Sequence, residues 1–196
     1  MDRVEVKQAL ETRCSQCGKL VPNYEIVNYG SIETANRELC IECFNGEVAK
    51  EGGLDKFEHL HFEPIQLVDC AGRPHDFHFQ THLFGPGVAL DAFEVCAGQP
   101  SGYQFQIIGE PEEDLLTLLS RLIGKMRRAL SVNHVQDGEY GLQIADRVVR
   151  GRITWDQAPL LVIDGREIAW DEFGRMMMCF EGGQFRLEIR DKSEEL

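Results

Sequence analysis

An α+β fold is predicted for this chain by three features of its sequence. Two Cys-x-x-Cys pairs lie near its start, a series of strand-like segments follows, and one long amphipathic segment interrupts that series. Short turns separate the strand-like segments, and such turns join antiparallel neighbours rather than parallel ones. We therefore predict a small cysteine-containing module at residues 1–53. Residues 54–196 are predicted to form a mostly antiparallel sheet with one long and one short helix packed on it.

The first element is organised by Cys14, Cys17, Cys40 and Cys43, two pairs separated by 22 residues. This spacing is typical of four thiolates around one zinc ion, the ligand set that structural zinc sites prefer. Gly18 follows the first pair and suits the left-handed backbone of a tight turn. Cys43 begins a predicted short helix, whose positive end favours a thiolate. We predict these four cysteines as zinc ligands; four ordinary buried cysteines or two disulfides are the alternatives.

The order of these predicted elements resembles the treble-clef and zinc-ribbon group of zinc fingers. A turn carries two ligands, a hairpin strand follows at Tyr24–Gly30, and a helix carries the last two ligands. The resemblance covers about the first fifty residues and implies bound zinc at the four cysteines. It implies no single function, because treble clefs serve as protein-binding, nucleic-acid-binding and structural modules. Residues 54–196 resemble bacterial proteins of unknown function.

The second domain begins with four predicted strands and a helix. The strands are expected at Phe62–Cys70, His75–Phe84, Val88–Cys96 and Tyr103–Ile108. The helix is predicted from Pro111 to about Leu130, because apolar residues recur there at helical spacing and form one stripe. That stripe is expected to cover one face of the sheet.

The last third is predicted to be strand-rich. Leu142–Trp155 reads as one bent strand or two, with Gly151 as a bulge. Asp164-Gly165 between two apolar segments predicts a two-residue hairpin. A short helix is expected at Trp170–Phe180, and Phe185–Arg190 alternates as a final half-exposed strand.

The net charge of −13 is unevenly distributed. Residues 1–53 carry six basic and nine acidic side chains, and residues 54–120 carry two and eleven. The cysteine module is therefore not the basic patch that phosphate binding requires, which argues against nucleic acid as a partner. An acidic protein of this kind is expected to attract a basic protein partner. A homodimer through an exposed sheet edge is also compatible with the sequence.

The sequence offers no run of eighteen apolar residues and no signal peptide at its start, which predicts a cytoplasmic protein without membrane spans. The three remaining cysteines, Cys70, Cys96 and Cys179, are expected to be free and buried. An odd cysteine total without an export signal fits a reducing compartment.

One strand face suggests chemistry. Asp76, His78, Gln80 and His82 are expected to project from the same side of the second predicted strand. Two imidazoles and a carboxylate can ligate a metal or act as acid and base, with Asp69, Asp91 and Glu94 on neighbouring strands. On a regular strand His78 and His82 are about 13 Å apart, too far to share one ion. A metal-dependent enzyme that uses Asp76, His78 and His82 is therefore an alternative, and a polar solvent-facing strand face is the simpler interpretation.

A second alternative is a nucleic-acid-binding regulator that uses Arg147, Arg150 and Arg152. Cross-strand ion pairs of these arginines with Asp146, Asp156 or Glu188 are the simpler interpretation. No phosphate-binding loop or hydrolase motif is present. The leading hypothesis is a protein-interaction or adaptor protein with a structural four-cysteine zinc site.

Overall fold

The computed structural model describes residues 11–30, 36–54, 56–85, 87–139 and 141–194. The predicted α+β class is confirmed, since three α-helices accompany sheets whose strand pairs are antiparallel throughout this described part of the chain. Within the same ranges, no helix combines the length and the apolar character needed to cross a bilayer.

Two hairpins and a helix form the N-terminal module, residues 11–54. Strands β1 and β2 pair with each other, as do β3 and β4, and helix α1 directly follows β4. The elements are β1 (Glu11–Arg13), β2 (Leu20–Pro22), β3 (Ile26–Tyr29), β4 (Arg37–Cys40) and α1 (Ile41–Gly52). Gly53 ends the helix in the left-handed conformation, with φ 68°, which glycine adopts without steric cost. The helix therefore ends at Gly52-Gly53.

The central sheet is a four-stranded meander in the order β5-β6-β7-β8. Its strands are β5 (Ile65–Val68), β6 (Pro74–Phe84), β7 (Gly87–Cys96) and β8 (Gln99–Gly109). The first strand is shorter than predicted and begins after Pro64, which has no backbone N–H to donate. A bulge at Phe93/Glu94 shifts the register between β7 and β8.

Helix α2 (Leu115–Leu130) covers one face of this sheet. Its N-cap is Asp114, whose side chain accepts a hydrogen bond from the Thr117 backbone N–H at 2.9 Å, and it begins four residues after Pro111. The predicted apolar stripe is buried against sheet residues that include Phe77, Leu90 and Phe105. This face is the main hydrophobic core.

The C-terminal unit, residues 134–194, has a second and smaller core. Its elements are β9 (Val135–Gly138), β10 (Gly141–Ile144), β11 (Arg152–Asp156), β12 (Ala158–Ile163), β13 (Arg166–Ala169) and α3 (Trp170–Met177). Strands β9 and β10 pair with each other, and β11-β12-β13 form a three-stranded sheet. The predicted Asp164-Gly165 hairpin is present, with φ 51° and 72°. Val135, Ile163, Ile168 and Met176 form the core.

The segment 142–155 forms two strands in two different sheets, β10 and β11. Gly151 is not a bulge and lies directly before β11. A Cβ atom there would lie 2.6 Å from the Val162 carbonyl oxygen. Glycine is needed at this position because two backbone segments approach closely.

The predicted strand at Phe185–Arg190 is wrong. Residues 181–190 contain no strand, and Phe185, Leu187 and Ile189 are 81%, 71% and 70% exposed. The alternation of apolar and polar residues determines which side chains share a face. A strand also needs a neighbouring strand for its backbone hydrogen bonds, and the alternation does not provide one. We call residues 184–190 the tail segment.

The tail segment is preceded by a local turn and followed by residues that contact the central sheet and α2. On one side the Gly183 N–H donates to the Phe180 carbonyl at 2.9 Å. On the other, the Lys192 ammonium contacts Asp91 of the central sheet at 2.5 Å. The Lys125 ammonium of α2 also donates to the carbonyls of residues 192, 193 and 194 at 3.1, 3.1 and 2.8 Å.

The expectation that Cys70, Cys96 and Cys179 are buried is also wrong, although all three are free. Each is exposed, because each lies where a regular element gives way to a turn. Cys70 is in the turn after β5, Cys96 is the last residue of β7, and Cys179 is in the single 3-10 turn after α3.

Candidate metal centre

The fold brings Cys14, Cys17, Cys40 and Cys43 together. Their sulfur atoms all lie within 4.8 Å of one another, and no other group of three or more metal-ligating side chains in the described ranges does so. The Sγ atoms of Cys17 and Cys40 are 3.8 Å apart, whereas a disulfide requires about 2.0 Å. The four cysteines can therefore hold one metal ion.

The first pair lies in a tight turn between β1 and β2. The Cys14 N–H donates to the Lys19 carbonyl at 2.9 Å, and the Gly18 N–H donates to the Cys14 carbonyl at 3.0 Å. Gly18 has φ 74°, as its position after the pair predicts. The Ser15 N–H also donates to the Glu38 carbonyl at 2.8 Å, which joins this turn to β4.

The second pair lies at the junction of β4 and α1. Cys40 is the last residue of the strand and the N-cap of the helix, and Cys43 falls in the first helical turn. Buried Leu39 packs beside Cys14 and Cys40 and shields this side of the cluster. The sulfur of Cys43 therefore faces the same point as the sulfurs of the first turn, with the positive helix end behind it.

The protonation of the cluster depends on backbone donors and on burial. Burial acts to raise the pKa of Cys14, but N–H groups of Cys17, Cys40 and Gln16 outweigh it and lower that pKa to about 6. Burial and then the neighbouring thiols raise the pKa of Cys43 far above its usual range, and burial raises that of Cys40. A cation at the centre reverses this balance, since it favours the thiolate form. The donor set thus suits a divalent ion.

Asn45 connects helix α1 to the central sheet. Its side chain is fully buried, and its Nδ2 donates to the Thr81 carbonyl at 2.6 Å. Its Oδ1 accepts from the Leu83 N–H at 2.8 Å. The amide thus replaces a neighbouring strand along this stretch of β6, which extends past the end of β5.

A second connection runs from the N-terminal module to the other face of the sheet. The Gln80 side-chain amide donates to the Tyr24 carbonyl at 3.2 Å, and the Tyr24 ring meets the Phe93 ring edge-on at 5.5 Å. Burial raises the pKa of Glu25 beside this contact, while His61 and His78 oppose that shift. The N-terminal module is therefore packed against the central sheet.

The three side chains of the alternative metal site do not converge. Strand β6 places Asp76, His78 and His82 on one face, but Asp76 accepts from Gln66 at 2.9 Å and His78 stacks on Phe93. The Nδ1 atom of His82 lies 3.5 Å from the Asp91 carboxylate. In the described structure Asp76, His78 and His82 thus each contact a different residue and do not face a common point.

A partly buried charged cluster lies on the opposite face of β6 and contains Asp69 and Glu94, which the sequence predicted beside the His78 face; that prediction is wrong for these two residues. The His75 Nδ1 is 2.8 Å from the Glu94 carboxylate, and its Nε2 is 3.4 Å from Asp69. Burial acts to raise the pKa of Asp69, but hydrogen bonds from Arg73 and Ala71, together with the nearby His75 ring, lower it to about 2. The sequence could have indicated this position, because His75 is two residues before the apolar Phe77 and residues two apart on a strand share a face.

The arginines of the second alternative do not form one patch. Arg152 opens β11 and is half-buried, whereas Arg147 and Arg150 precede the strand and are exposed. Burial lowers the pKa of Arg152, and its Nε is buried without a hydrogen-bond partner. Glu188 pairs with Arg186 and Arg190 instead.

Three family models match the chain, and each is described as a domain of unknown function. They are DUF7685 at residues 13–55, DUF7686 at 58–131 and DUF7713 at 134–194. No curated protein and no solved structure matches the chain. None of the three descriptions names a zinc finger, and the two-domain division at residue 53 remains a prediction. The chain is thus similar to three domains of unknown function in series, the first of which contains the four-cysteine cluster.

Proposed function

We propose that this chain is a zinc-stabilised protein-interaction or adaptor protein. In this proposal Cys14, Cys17, Cys40 and Cys43 hold one structural zinc ion in a treble-clef-like module, and the C-terminal unit presents the surface that binds a protein partner. The observation that carries the proposal is the convergence of the four sulfur atoms within 4.8 Å.

The sulfur geometry supports zinc. A tetrahedral ion with zinc–sulfur bonds of about 2.3 Å has sulfur atoms about 3.8 Å apart. The distance between the Cys17 and Cys40 sulfurs is 3.8 Å. Four thiolates are the soft donors that zinc accepts, and a turn, hairpins and a helix carry them as in a treble clef.

The zinc is proposed to be structural because four thiolates fill its tetrahedron. A catalytic zinc ion keeps a position for water or substrate, and this donor set leaves none. Two connections to the sheet, through Asn45 and Tyr24, give the ion a role in stabilising the central sheet as well as its own module. Binding energy of about 10 kcal/mol is available from such sites.

The partner surface is assigned to the C-terminal unit because exposed apolar side chains are concentrated there. Among the described residues, nine of the fifteen exposed large hydrophobic side chains lie in this unit: Val148, Ile153, Trp155, Trp170, Met178, Phe180, Phe185, Leu187 and Ile189. Exposed apolar surface marks interaction sites, and tryptophan is enriched at their centres. The net charge of −13 adds long-range attraction for a basic partner.

The proposed compartment is the cytoplasm. Its reducing conditions suit the four thiolates and the three exposed thiols.

The metal content per chain tests the zinc proposal. Protein purified without added metal is expected to contain one zinc ion per chain, which the double variant Cys14→Ser with Cys17→Ser loses. The matched control Cys70→Ser with Cys96→Ser removes two exposed thiols outside the cluster and keeps the zinc. A metal-free wild type overturns the proposal, and a second ion that survives the first substitution makes the histidine face of β6 a metal site.

Site-specific photo-cross-linking tests the partner surface. A cross-linking residue at Trp155 is expected to trap a discrete protein, and the yield is expected to fall at high salt because attraction between opposite charges is screened. The control position is Leu116, which is similarly exposed on α2. Equal trapping at both positions contradicts the assignment of the surface to the C-terminal unit.

A further inference from the structure

Strand β11 has a free edge. In the described part of the chain its only sheet neighbour is β12, so one row of its backbone groups is available to another strand. Ile153 and Trp155 on this strand are 58% and 71% exposed, although Ile153 lies opposite Leu161 on the face that forms the small core. An additional strand with apolar residues on the same face would extend that core.

The end of β11 also has an unsatisfied charged group. The Nε atom of Arg152 is buried and has no hydrogen-bond partner. Buried donors are paired in nearly all proteins, and leaving one unpaired destabilises the fold. A carboxylate on an adjacent strand would satisfy this group.

The tail segment supplies what the edge lacks. In an antiparallel alignment, Ile153 lies opposite Leu187, Trp155 opposite Phe185 and Arg152 opposite Glu188. This register matches two apolar pairs and one pair of opposite charges. Moving the segment by two residues so that Ile153 meets Ile189 places Arg152 opposite Arg190, and a one-residue shift places charged residues opposite apolar ones.

We propose that β11 binds the tail segment of a second copy of this chain as an added antiparallel strand, in the register that pairs Arg152 with Glu188. This inference rests on the proposed function, in which the C-terminal unit is the binding surface, and it names the partner. Reciprocal exchange gives a two-fold dimer with two identical contacts. A second copy is favoured over the same copy because, in the described structure, the tail segment of a chain is not paired with its own β11, and both leave their apolar side chains exposed. The contacts of residues 192–194 after the tail segment also lower the entropic cost of binding.

A charge-exchange experiment tests the proposal, with the mass of the particle measured by sedimentation equilibrium. Wild type is expected to form a dimer as its concentration rises. Arg152→Glu and Glu188→Arg each place like charges opposite one another in both contacts and are expected to weaken dimerisation by about tenfold. When the two variants are mixed, a heterodimer of wild-type strength is expected, because each copy then offers the charge that the other lacks.

The mixing step separates a second copy from the same copy. Docking within one chain gives no heterodimer, so its absence overturns the proposal, as does a wild type that stays monomeric. Leu187→Lys, at an exposed position that leaves the fold intact, must also abolish the dimer, whereas Leu116→Lys on α2 must not. A dimer that persists in Leu187→Lys overturns the strand contact. If dimerisation fails while Trp155 still cross-links to a different protein, the proposed function stands and only this inference falls.

Discussion

At the scale of single residues, Asn45 shows how one side chain couples the four-cysteine module to the sheet. Both ends of its amide are used, and the two backbone groups that it meets belong to alternate residues of β6. Nothing in its sequence position distinguishes it from other polar residues in a short helix. Its role depends on tertiary contact and could not be predicted from local sequence.

Asn45→Ala leaves the Thr81 carbonyl and the Leu83 N–H unpaired in a buried environment. Each unpaired group is expected to cost about 1–3 kcal/mol of the free energy of unfolding. Urea titration monitored by circular dichroism measures this loss. Asn28→Ala, at an exposed position of β3, is the control and is expected to change little; equal losses would show that the buried amide has no special role.

Asp69 is expected to govern the stability of the protein in acid. Its folded-state pKa of about 2 lies below the ordinary value, so its carboxylate stabilises the fold above about pH 4 and loses that effect as the pH falls toward 2. Asp69→Asn is expected to reduce the free energy of unfolding at pH 7 by about 2 kcal/mol and to flatten its decline between those pH values. Chemical denaturation at a series of pH values provides the measurement. Asp137→Asn, an exposed member of an ion pair with Arg166, should have a much smaller effect, and an unchanged acid profile in Asp69→Asn would contradict this assignment.

At the scale of elements, the turn that carries Cys14 and Cys17 could be predicted from the sequence because its conformation is local. The cysteine spacing and Gly18 together specify a turn, and the strand alternation of β6 correctly separates buried Phe77 from the polar face. The tail segment shows the limit of the same reasoning. Its alternation is as clear as that of β6, but pairing requires a neighbour that the pattern itself does not provide.

Two glycines of the N-terminal module are expected to respond in opposite ways to substitution by alanine. Gly18 has φ 74°, so Gly18→Ala should cost about 1 kcal/mol and weaken metal binding. Gly46 lies inside helix α1 with open space around its Cα, so Gly46→Ala should stabilise the helix by up to about 1 kcal/mol. Thermal unfolding of the metal-loaded protein compares the two variants. Shifts of the same sign would indicate that backbone conformation does not determine the effect.

At the scale of the whole molecule, the connections through Asn45 and Tyr24 predict that a metal ion bound at the four cysteines stabilises more than the N-terminal module. Removal of the metal by a chelator is expected to accelerate amide exchange at Leu83, whose N–H is held by Asn45. Exchange in β12 should be unaffected, because its contacts lie within the C-terminal unit. Hydrogen–deuterium exchange with mass spectrometry compares the two states, and unchanged exchange in β6 would show that the module is energetically independent of the sheet.

The contact of Lys125 with residues 192–194 gives the C-terminal unit a second attachment point. The chain leaves α2, builds the whole unit and then returns to the same helix, so the intervening polypeptide forms a closed loop. Closing a longer loop costs only slightly more entropy than closing a shorter one, so the Lys125 contacts and the Lys192–Asp91 ion pair together can maintain this closure. A pulling force applied beyond residue 194 would reach helix α2 through this contact before it reached β13 or α3. The small sheet is thereby protected from mechanical load, and the contacts of Lys125 and Lys192 would rupture before the small sheet is loaded.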